Sequence, residues 1–173
     1  MIELEKTYLA KELPDLTNCE CKDMLDIYLP ASAVHPTLRI RKNGDKYEMT
    51  KKEPVEDDPS KQLEQTIPLT KNEFEELSQI EGKRVHKKRY LFKYQGRVAE
   101  FDVFQNDLAG LVLVDFEFEK EEEKDAFVMP SFCLVDITPE LFIAGGMICG
   151  KSYNDVEADL DRFNYKKIDI QSL

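Results

Sequence analysis

Apolar and polar residues alternate along most of the chain, which predicts a fold built mainly from β-strands. Successive side chains of a strand point to opposite faces, so a period of two marks a strand with one buried face. The turn sequences Asn43-Gly44-Asp45 and Gln95-Gly96 separate neighbouring runs and indicate antiparallel hairpins. The pattern predicts strands at residues 2–10, 26–29, 38–42, 47–52, 85–94, 97–104, 111–119 and 132–137.

Helices are fewer and are predicted from their N-terminal caps. Thr70 followed by Glu73 forms a capping-box pattern, and the helical run that it opens is expected to end at Gly82. The other predicted helix starts are Thr138-Pro139 and Ser152, and the predicted solvent-exposed loops are the polar stretch 51–60 and the charge run 119–125.

Composition narrows the class of protein. The length of 173 residues fits one domain, residues 1–173, and a hydrophobic content of 42% excludes a disordered chain. No apolar run approaches the roughly 20 residues of a membrane-spanning helix, and the charged residues 3–6 do not resemble a signal peptide. Cys19 and Cys21 have the spacing of neither a disulfide framework nor a zinc knuckle, so we expect free thiols and a cytoplasmic protein.

The net charge restricts the partners. Acidic residues number 35 and basic residues 24, which gives a net charge of −11 and argues against binding to nucleic acid or to an anionic membrane. The net charge does not exclude a local basic site for a small molecule, and the protein is expected to act as a monomer or a homodimer.

Charged residues fall in like-signed pairs within the predicted strands. Glu3 and Glu5 share a face because residues two apart point the same way. Such a face is commonly the solvent side of an open sheet, but like charges opposite one another destabilise a sheet unless a counter-ion lies between them. A divalent cation could be the counter-ion of the acids, and a polyphosphate could be the counter-ion of the bases. Both would lie inside a barrel with a basic lumen. The other pairs are Arg39 and Arg41, Lys87 and Arg89, Glu100 and Asp102, and Asp115 and Glu117.

These residues resemble the CYTH domain family, the triphosphate tunnel metalloenzymes. Glu3-Leu4-Glu5 is similar to the family's N-terminal acidic signature, Arg39-Ile40-Arg41 to its Arg-x-Arg strand, and Lys87-Lys88-Arg89 to its Lys-x-Arg strand. The resemblance runs in order along nearly the whole chain, and its other segments are residues 47–52, 63–70, 100–118, 136–138 and 150–153.

The resemblance implies a fold, a cofactor and a set of site residues. The fold would be α+β and mostly antiparallel, an eight-stranded closed β-barrel whose tunnel holds a triphosphate, with a few flanking helices. The cofactor would be Mg²⁺ or Mn²⁺, and Glu5, Lys87 and Arg89 would be catalytic. The implied metal ligands are Glu3, Glu5, Asp115 and Glu117, the implied phosphate ligands are Arg39, Arg41, Lys51, Lys52, Lys87, Arg89 and Lys151, and further lumen acids are Glu64 and Asp102.

Thr7 departs from the family pattern, which has a lysine two residues after the second acid. Lys6 is adjacent, but it points to the opposite face of the strand unless a bulge intervenes. The leading hypothesis is metal-dependent hydrolysis of inorganic tripolyphosphate or of an organic or nucleoside triphosphate. The alternatives are an adenylate cyclase that forms cyclic AMP and pyrophosphate from ATP, and a non-catalytic polyphosphate-binding module, which Thr7 keeps open. The charged inner strands argue against a lipocalin-like barrel.

Overall fold

Nine strands and four short α-helices form the part of the chain that the computed structural model describes, residues 2–55 and 58–170. The strands are β1 (Ile2–Ala10), β2 (Glu20–Leu29), β3 (Leu38–Asn43), β4 (Lys46–Val55), β5 (Asp58–Leu69), β6 (Lys83–Tyr94), β7 (Arg97–Phe104), β8 (Val112–Phe118) and β9 (Cys133–Asp136). The helices are α1 (Lys71–Leu77), α2 (Glu121–Asp125), α3 (Gly145–Ile148) and α4 (Tyr153–Asp161), and 3₁₀ turns lie at Asn106–Leu108 and Leu141–Ile143.

Eight antiparallel strands close into a barrel in the order β1, β5, β4, β3, β2, β6, β7, β8. Closure occurs at β1, which pairs with β8 along most of its length and with β5 at its start. The short strand β9 pairs with the end of β1. Each barrel strand has two neighbours, although β5 pairs with β1 only over residues 61–63. The predicted closed eight-stranded barrel is confirmed.

The prediction of a loop at residues 51–60 was wrong. Strand β4 continues to Val55 and β5 begins at Asp58, while residues 56 and 57 lie outside the described ranges. The two strands pair in regular register from Tyr47 to Pro54, with Lys52 opposite Glu64, and the register shifts between Pro54 and Val55. Polar residues fill this stretch because Lys52 faces the lumen while Lys51 and Glu53 face solvent on the outer side, so neither face of the strand shows an apolar pattern in sequence.

The barrel buries the outer face of β1, β7 and β8 in an apolar cluster and places charged side chains in its lumen. Along β8, Val114 and Phe116 point outward into an apolar cluster that also contains Tyr8 and Phe101. Asp115, between them in sequence, lines the lumen instead. The strict period of two therefore separates an apolar outer face from a charged inner face. A barrel of this kind explains acids embedded in a strongly hydrophobic strand.

Apolar residues close one end of the barrel. Leu9 and Leu113 pack there against Ile137 and Ile148 of the C-terminal segment. The predicted helix start at Thr138-Pro139 was wrong, because the Thr138 hydroxyl is already used. It donates to Asp136 Oδ1 at 2.6 Å and accepts the Thr7 N–H at 3.0 Å, which ties the segment to β1. Helical turns begin only at the following 3₁₀ turn, residues 141–143.

Helix α1 packs on the outside of β3 and β4. Its capping box between Thr70 and Glu73 is confirmed, but the helix ends at Leu77 rather than near Gly82. A Cβ atom at Gly82 would lie 2.6 Å from Ile27 Cγ2, so glycine allows the chain to pass close to β2 before β6 begins. At the other end of the chain, the capping box predicted at Ser152 is confirmed and starts α4.

The charge run at residues 119–125 is more ordered than the predicted solvated connection. It contains α2, whose Lys124 is buried and donates to Ser60 Oγ at 2.6 Å. The four cysteines, all within the described residues, form no disulfide. Across the described ranges, none of the helices has the length and apolar character needed to cross a membrane.

Candidate active site

The lumen holds a cavity of about 600 Å³. A second cavity of about 330 Å³ adjoins it at Glu100 and Glu117, toward the Gly96 hairpin, so the lumen continues past the acidic wall. Most of the residues singled out in sequence converge on the first cavity, although they come from seven strands. Those that line it are Glu3, Glu5, Arg39, Arg41, Lys52, Glu64, Lys87, Arg89, Asp102, Asp115 and Glu117.

Lys51 and Lys151 are the exceptions. Lys51 points away from the lumen and pairs with Glu53 at 3.1 Å, with half of its side chain exposed. Lys151 follows α3 and does not line the cavity. Strand parity therefore decides between the two adjacent lysines in favour of Lys52.

The expectation of a basic lumen is not met. Among the described residues, ten Asp or Glu side chains line the cavity, against five Lys or Arg side chains. The bases form one belt on β3, β4 and β6, and acids surround them. A polyanion in this lumen needs cations of its own to offset the excess of carboxylates.

Within the belt, buried carboxylates hold three of the bases. Asp26, on β2, binds Arg41 through two parallel hydrogen bonds, of 2.6 Å to Nε and 2.7 Å to Nη2. The same two-point geometry joins Asp102 to Arg89, and Asp102 also accepts from Lys87. Burial opposes ionisation of Asp26, but the Arg41 guanidinium nevertheless holds the pKa of that carboxyl below its ordinary value. Asp26 and Asp102 likewise hold the pKa values of Arg41 and Arg89 above their ordinary value, so both guanidinium ions keep their charge and a fixed orientation.

Arg39 is the base with the most unused capacity. Its Nε is buried without a hydrogen-bond partner, and Glu48, the carboxylate paired with it, lies 3.9 Å from Nη2. An unpartnered buried N–H costs free energy unless a ligand or water meets it. The orphaned donor points to an anionic or oxygen-rich ligand at this position in the lumen.

The acidic wall lies on β1 and β8. Glu5 and Glu117 are direct cross-strand partners, and Thr7 is the partner of Asp115. Across the two described ranges, the side chains of Glu5 and Glu117 form no ion pair or hydrogen bond, whereas those of Glu3 and Asp115 beside them do. Burial, together with the nearby Asp115 and Glu3, raises the pKa of Glu5 to about 7. The wall therefore holds like charges without enough cations to balance them.

Lys52 is the cation nearest the acidic wall. Its ammonium pairs with Glu3 and, at 3.1 Å, with Glu64. Burial opposes the charge, but Glu5 and Glu3 hold the pKa of Lys52 above its ordinary value. Lys52 thus bridges the acids of β1 and β5.

Thr7 occupies the lumen position, and no bulge brings Lys6 there. The register between β1 and β8 is regular from Leu4 to Leu9. The Thr7 hydroxyl donates to Asp115 Oδ1 at 2.7 Å, while Lys6 lies on the outer face, 3.9 Å from Asp136. Thr7 orients one carboxylate but brings no positive charge to the lumen.

The donor set of the acidic wall fits a hard divalent cation. Carboxylate oxygens are the ligands that Mg²⁺ and Mn²⁺ prefer, and the uncompensated charge at Glu5 favours a bound cation. No three Asp, Glu, His or Cys side chains within residues 2–55 and 58–170 form a ready-made ligand cage. Such an open arrangement suits a cation that takes one or two carboxylates and completes its shell with water and phosphate oxygens.

Some cavity residues were not singled out by the sequence. Asp26 and Tyr28 on β2 line the lumen, as do Glu48 and Thr50 on β4. Asp26 carries a signal in retrospect, because it stands alone between the apolar Leu25 and Ile27. A lone acid in a buried strand requires a partner cation, although the sequence does not identify which one.

Comparison with known proteins identifies the family of this chain. A family model described as the CYTH domain matches residues 5–129. The chain belongs to the CYTH domain family. An inorganic triphosphatase of Nitrosomonas europaea is 34% identical over 142 residues, which is 81% of this chain and 91% of that protein. The resemblance drawn from the sequence is confirmed.

Solved structures of the CYTH fold are similar to the structure of this chain. The crystal structure of an inorganic triphosphatase matches with a TM-score of 0.63 and 28% identity, covering 86% of this chain and 95% of that one. A Hippeastrum protein, described as a candidate adenylyl cyclase with a dominant triphosphatase activity, matches with a TM-score of 0.52 over 95% of this chain and 90% of its own. At 11% identity, that second likeness concerns the fold alone.

Proposed function

We propose that this CYTH protein hydrolyses a small-molecule triphosphate, with inorganic tripolyphosphate as its first candidate substrate. The observation that carries the proposal is the arrangement of one lumen, in which oriented bases face a wall of uncompensated carboxylates. The curated relative, an inorganic triphosphatase, supports the same substrate class. Phosphoryl transfer asks a protein chiefly for positioning and for stabilisation of charge on phosphate oxygens, and this lumen offers both.

The bases have separate tasks in this proposal. Arg39 supplies an unpartnered donor for a phosphate oxygen, and Arg41 and Arg89 present the remaining N–H groups of guanidinium ions that are already oriented. Lys87 and Lys52 add point charges on either side. Donors fixed before the substrate arrives need little reorganisation during the reaction.

Glu5 and Glu117, with Glu3 and Asp115 beside them, would hold Mg²⁺ or Mn²⁺. A bound divalent cation would neutralise phosphate charge and lower the pKa of a bound water. The Thr7 hydroxyl donates to Oδ1 of Asp115. The other oxygen, Oδ2, lies 3.3 Å from Arg89 Nη2. Asp115 is therefore held in one orientation at the junction of the acidic wall and the base belt.

The test is a substrate panel. The purified chain is incubated with tripolyphosphate, thiamine triphosphate and ATP, each with Mg²⁺, with Mn²⁺ and with EDTA, and the phosphate products are resolved by ion chromatography. We expect orthophosphate and pyrophosphate from tripolyphosphate with either metal, and none with EDTA. Pyrophosphate with cyclic AMP from ATP would replace the hydrolase by a cyclase, and binding without turnover of any substrate would leave a binding module.

Lys52 and Lys51 form a matched pair for this site. We expect Lys52→Met to raise the KM for tripolyphosphate by about tenfold or more, since a charge-assisted hydrogen bond contributes about 1.5–3 kcal/mol. Lys51→Met, one residue away on the opposite face, should leave KM unchanged. Steady-state kinetics on both variants make the comparison, and equal effects would contradict the assignment of Lys52 to the lumen.

Thr7→Lys tests the departure from the family pattern. A lysine here would project from β1 beside Asp115 and add a positive charge to an acid-rich lumen. We expect the kcat for tripolyphosphate to rise by about tenfold, the effect of roughly 1.4 kcal/mol of added transition-state stabilisation. Thr7→Met, which has similar length and no charge, is the control. If both variants match the wild type, the charge at position 7 does not limit the rate.

A further inference from the structure

Asp102 joins two bases of strand β6 through a single carboxylate. It lies on β7 directly opposite Arg89 of β6, and only 1% of it is exposed. Its Oδ1 accepts from Arg89 Nε at 2.6 Å, and its Oδ2 accepts from Arg89 Nη2 at 2.7 Å and from the Lys87 ammonium. One acid thus fixes two of the five lumen bases.

This arrangement leaves little capacity for a metal ion at Asp102. A carboxylate has about four lone-pair sites, and three are already used by N–H donors. Two cationic side chains also occupy the space that a divalent cation would need, and their charges repel it. Glu5 differs in both respects, because its cross-strand partner is another acid, Glu117.

Without Asp102, Arg89 would keep Glu100 and Asp115 as partners, whereas Lys87 would lose the one ion pair that it forms within the described residues. Lys87 and Arg89 project from one face of β6, two residues apart, and each is largely buried. Burial lowers the pKa of Lys87, and the charges of Arg89 and Arg41 lower it further, whereas Asp102 opposes both effects. A freed lysine or arginine also regains up to about 2 kcal/mol of side-chain entropy, which phosphate binding would then have to offset.

We propose that Asp102 is a positioning residue that holds Lys87 and Arg89 in place for phosphate and is not a ligand of the metal. What the two bases bind rests on the proposed function, whereas the role of Asp102 in fixing them does not. The inference separates Asp102 from the acids of β1 and β8, although all of them line the same lumen.

The experiment compares Asp102→Asn with Asp107→Asn, the same change at an exposed acid on the 3₁₀ turn that follows β7. Three quantities are measured on the full chain: the affinity for Mn²⁺ alone by calorimetry, the NMR signal of the Arg89 Nε–H and its exchange with water, and kcat/KM for tripolyphosphate. For Asp102→Asn we expect Mn²⁺ affinity within about twofold of the wild type, rapid exchange at Arg89 Nε–H, and kcat/KM lower by about 100-fold. Asp107→Asn should match the wild type throughout.

Two results would overturn the proposal. The first is a loss of Mn²⁺ affinity of tenfold or more with the Arg89 signal still protected, which would make Asp102 a metal ligand. The second is unchanged kcat/KM once the Arg89 signal has lost its protection, which would show that the bases need no fixing. If Asp102→Asn does not fold, the exchange of the Arg89 Nε–H is measured in the wild type. Rapid exchange in the wild type would contradict the proposed contact.

Failure of the proposed function gives a different pattern. A wild type that does not hydrolyse tripolyphosphate refutes the hydrolase proposal. The Mn²⁺ and NMR measurements on Asp102→Asn then still show whether Asp102 fixes the bases or binds metal.

Discussion

Glu5→Gln should abolish metal-dependent hydrolysis and, at the same time, stabilise the metal-free protein at pH 8. The variant removes a charge from the acidic wall, where the pKa of Glu5 is raised to about 7 from an ordinary value of 4.5 by burial and by neighbouring acids. Losing several kcal/mol of metal-derived stabilisation lowers kcat by about 100- to 1,000-fold.

The stability effect has a definite sign with pH. An acid whose folded-state pKa is raised binds its proton more tightly in the folded protein, so unfolding becomes easier as pH rises from 4.5 to 7. Above pH 7 the full cost applies, up to about 3 kcal/mol, and at pH 5 it is below about 1 kcal/mol. Glutamine carries no such cost, so the gain from Glu5→Gln should be largest at pH 8 and small at pH 5.

Urea unfolding at pH 5 and pH 8, with and without Mn²⁺, measures this directly. Metal at 1,000 times its Kd adds about 4.1 kcal/mol to the wild type, which exceeds the cost of about 3 kcal/mol and should reverse the order of the two proteins. Glu76→Gln, the same change at an exposed position of α1, should behave like the wild type in every condition. A Glu5→Gln variant that keeps full activity, or that is less stable at pH 8 without metal, contradicts the assignment.

A site that is costly without its ligand is consistent with the rest of the lumen. The acids of β1 and β8 repel one another, and Arg39 keeps a buried donor without a partner. Under the proposed function, both costs would be relieved by the same event, the binding of a polyphosphate with its cations. The proposal therefore accounts for a lumen that is unfavourable when empty.

Much of this site could be predicted from the sequence because strand parity is strict. The pairs Arg39 with Arg41 and Asp115 with Glu117 lie on one face of their strands, and the barrel places that face inward. Parity also decides between Lys6 and Thr7, where the sequence left a bulge possible and the regular register of β1 excludes it. These residues depend on local geometry alone.

What the sequence could not predict depends on contacts between distant strands. The balance of charge in the lumen required knowledge of all its walls, and acids that the sequence did not single out, Asp26, Glu48 and Glu140, helped to turn an expected basic tunnel into an acid-rich one. Strand β5 was missed in part because a polar lumen gives inward-facing strand residues the composition of a loop. In both cases the prediction rules assume an apolar interior, whereas the interior of this barrel is charged.

Asp26→Ala should lower the free energy of unfolding by about 3–5 kcal/mol, the usual effect of removing one partner of a buried ion pair. Asp26 is 2% exposed, Arg41 is 8% exposed, and the two are joined by two short hydrogen bonds across β2 and β3. The alanine would leave the Arg41 guanidinium in the barrel wall without its counter-ion. Guanidinium chloride unfolding measures the difference.

A double variant separates stability from function at the same pair. Replacing a buried ion pair by apolar residues of similar size is often neutral or stabilising, so Asp26→Leu combined with Arg41→Met should recover most of the lost stability. It should not recover affinity for tripolyphosphate, because the oriented guanidinium is gone. A single Asp26→Ala variant within 1 kcal/mol of the wild type would contradict the pairing. Recovery of stability without recovery of binding would show that the Asp26–Arg41 pair serves the ligand, since an apolar wall would hold the barrel together equally well.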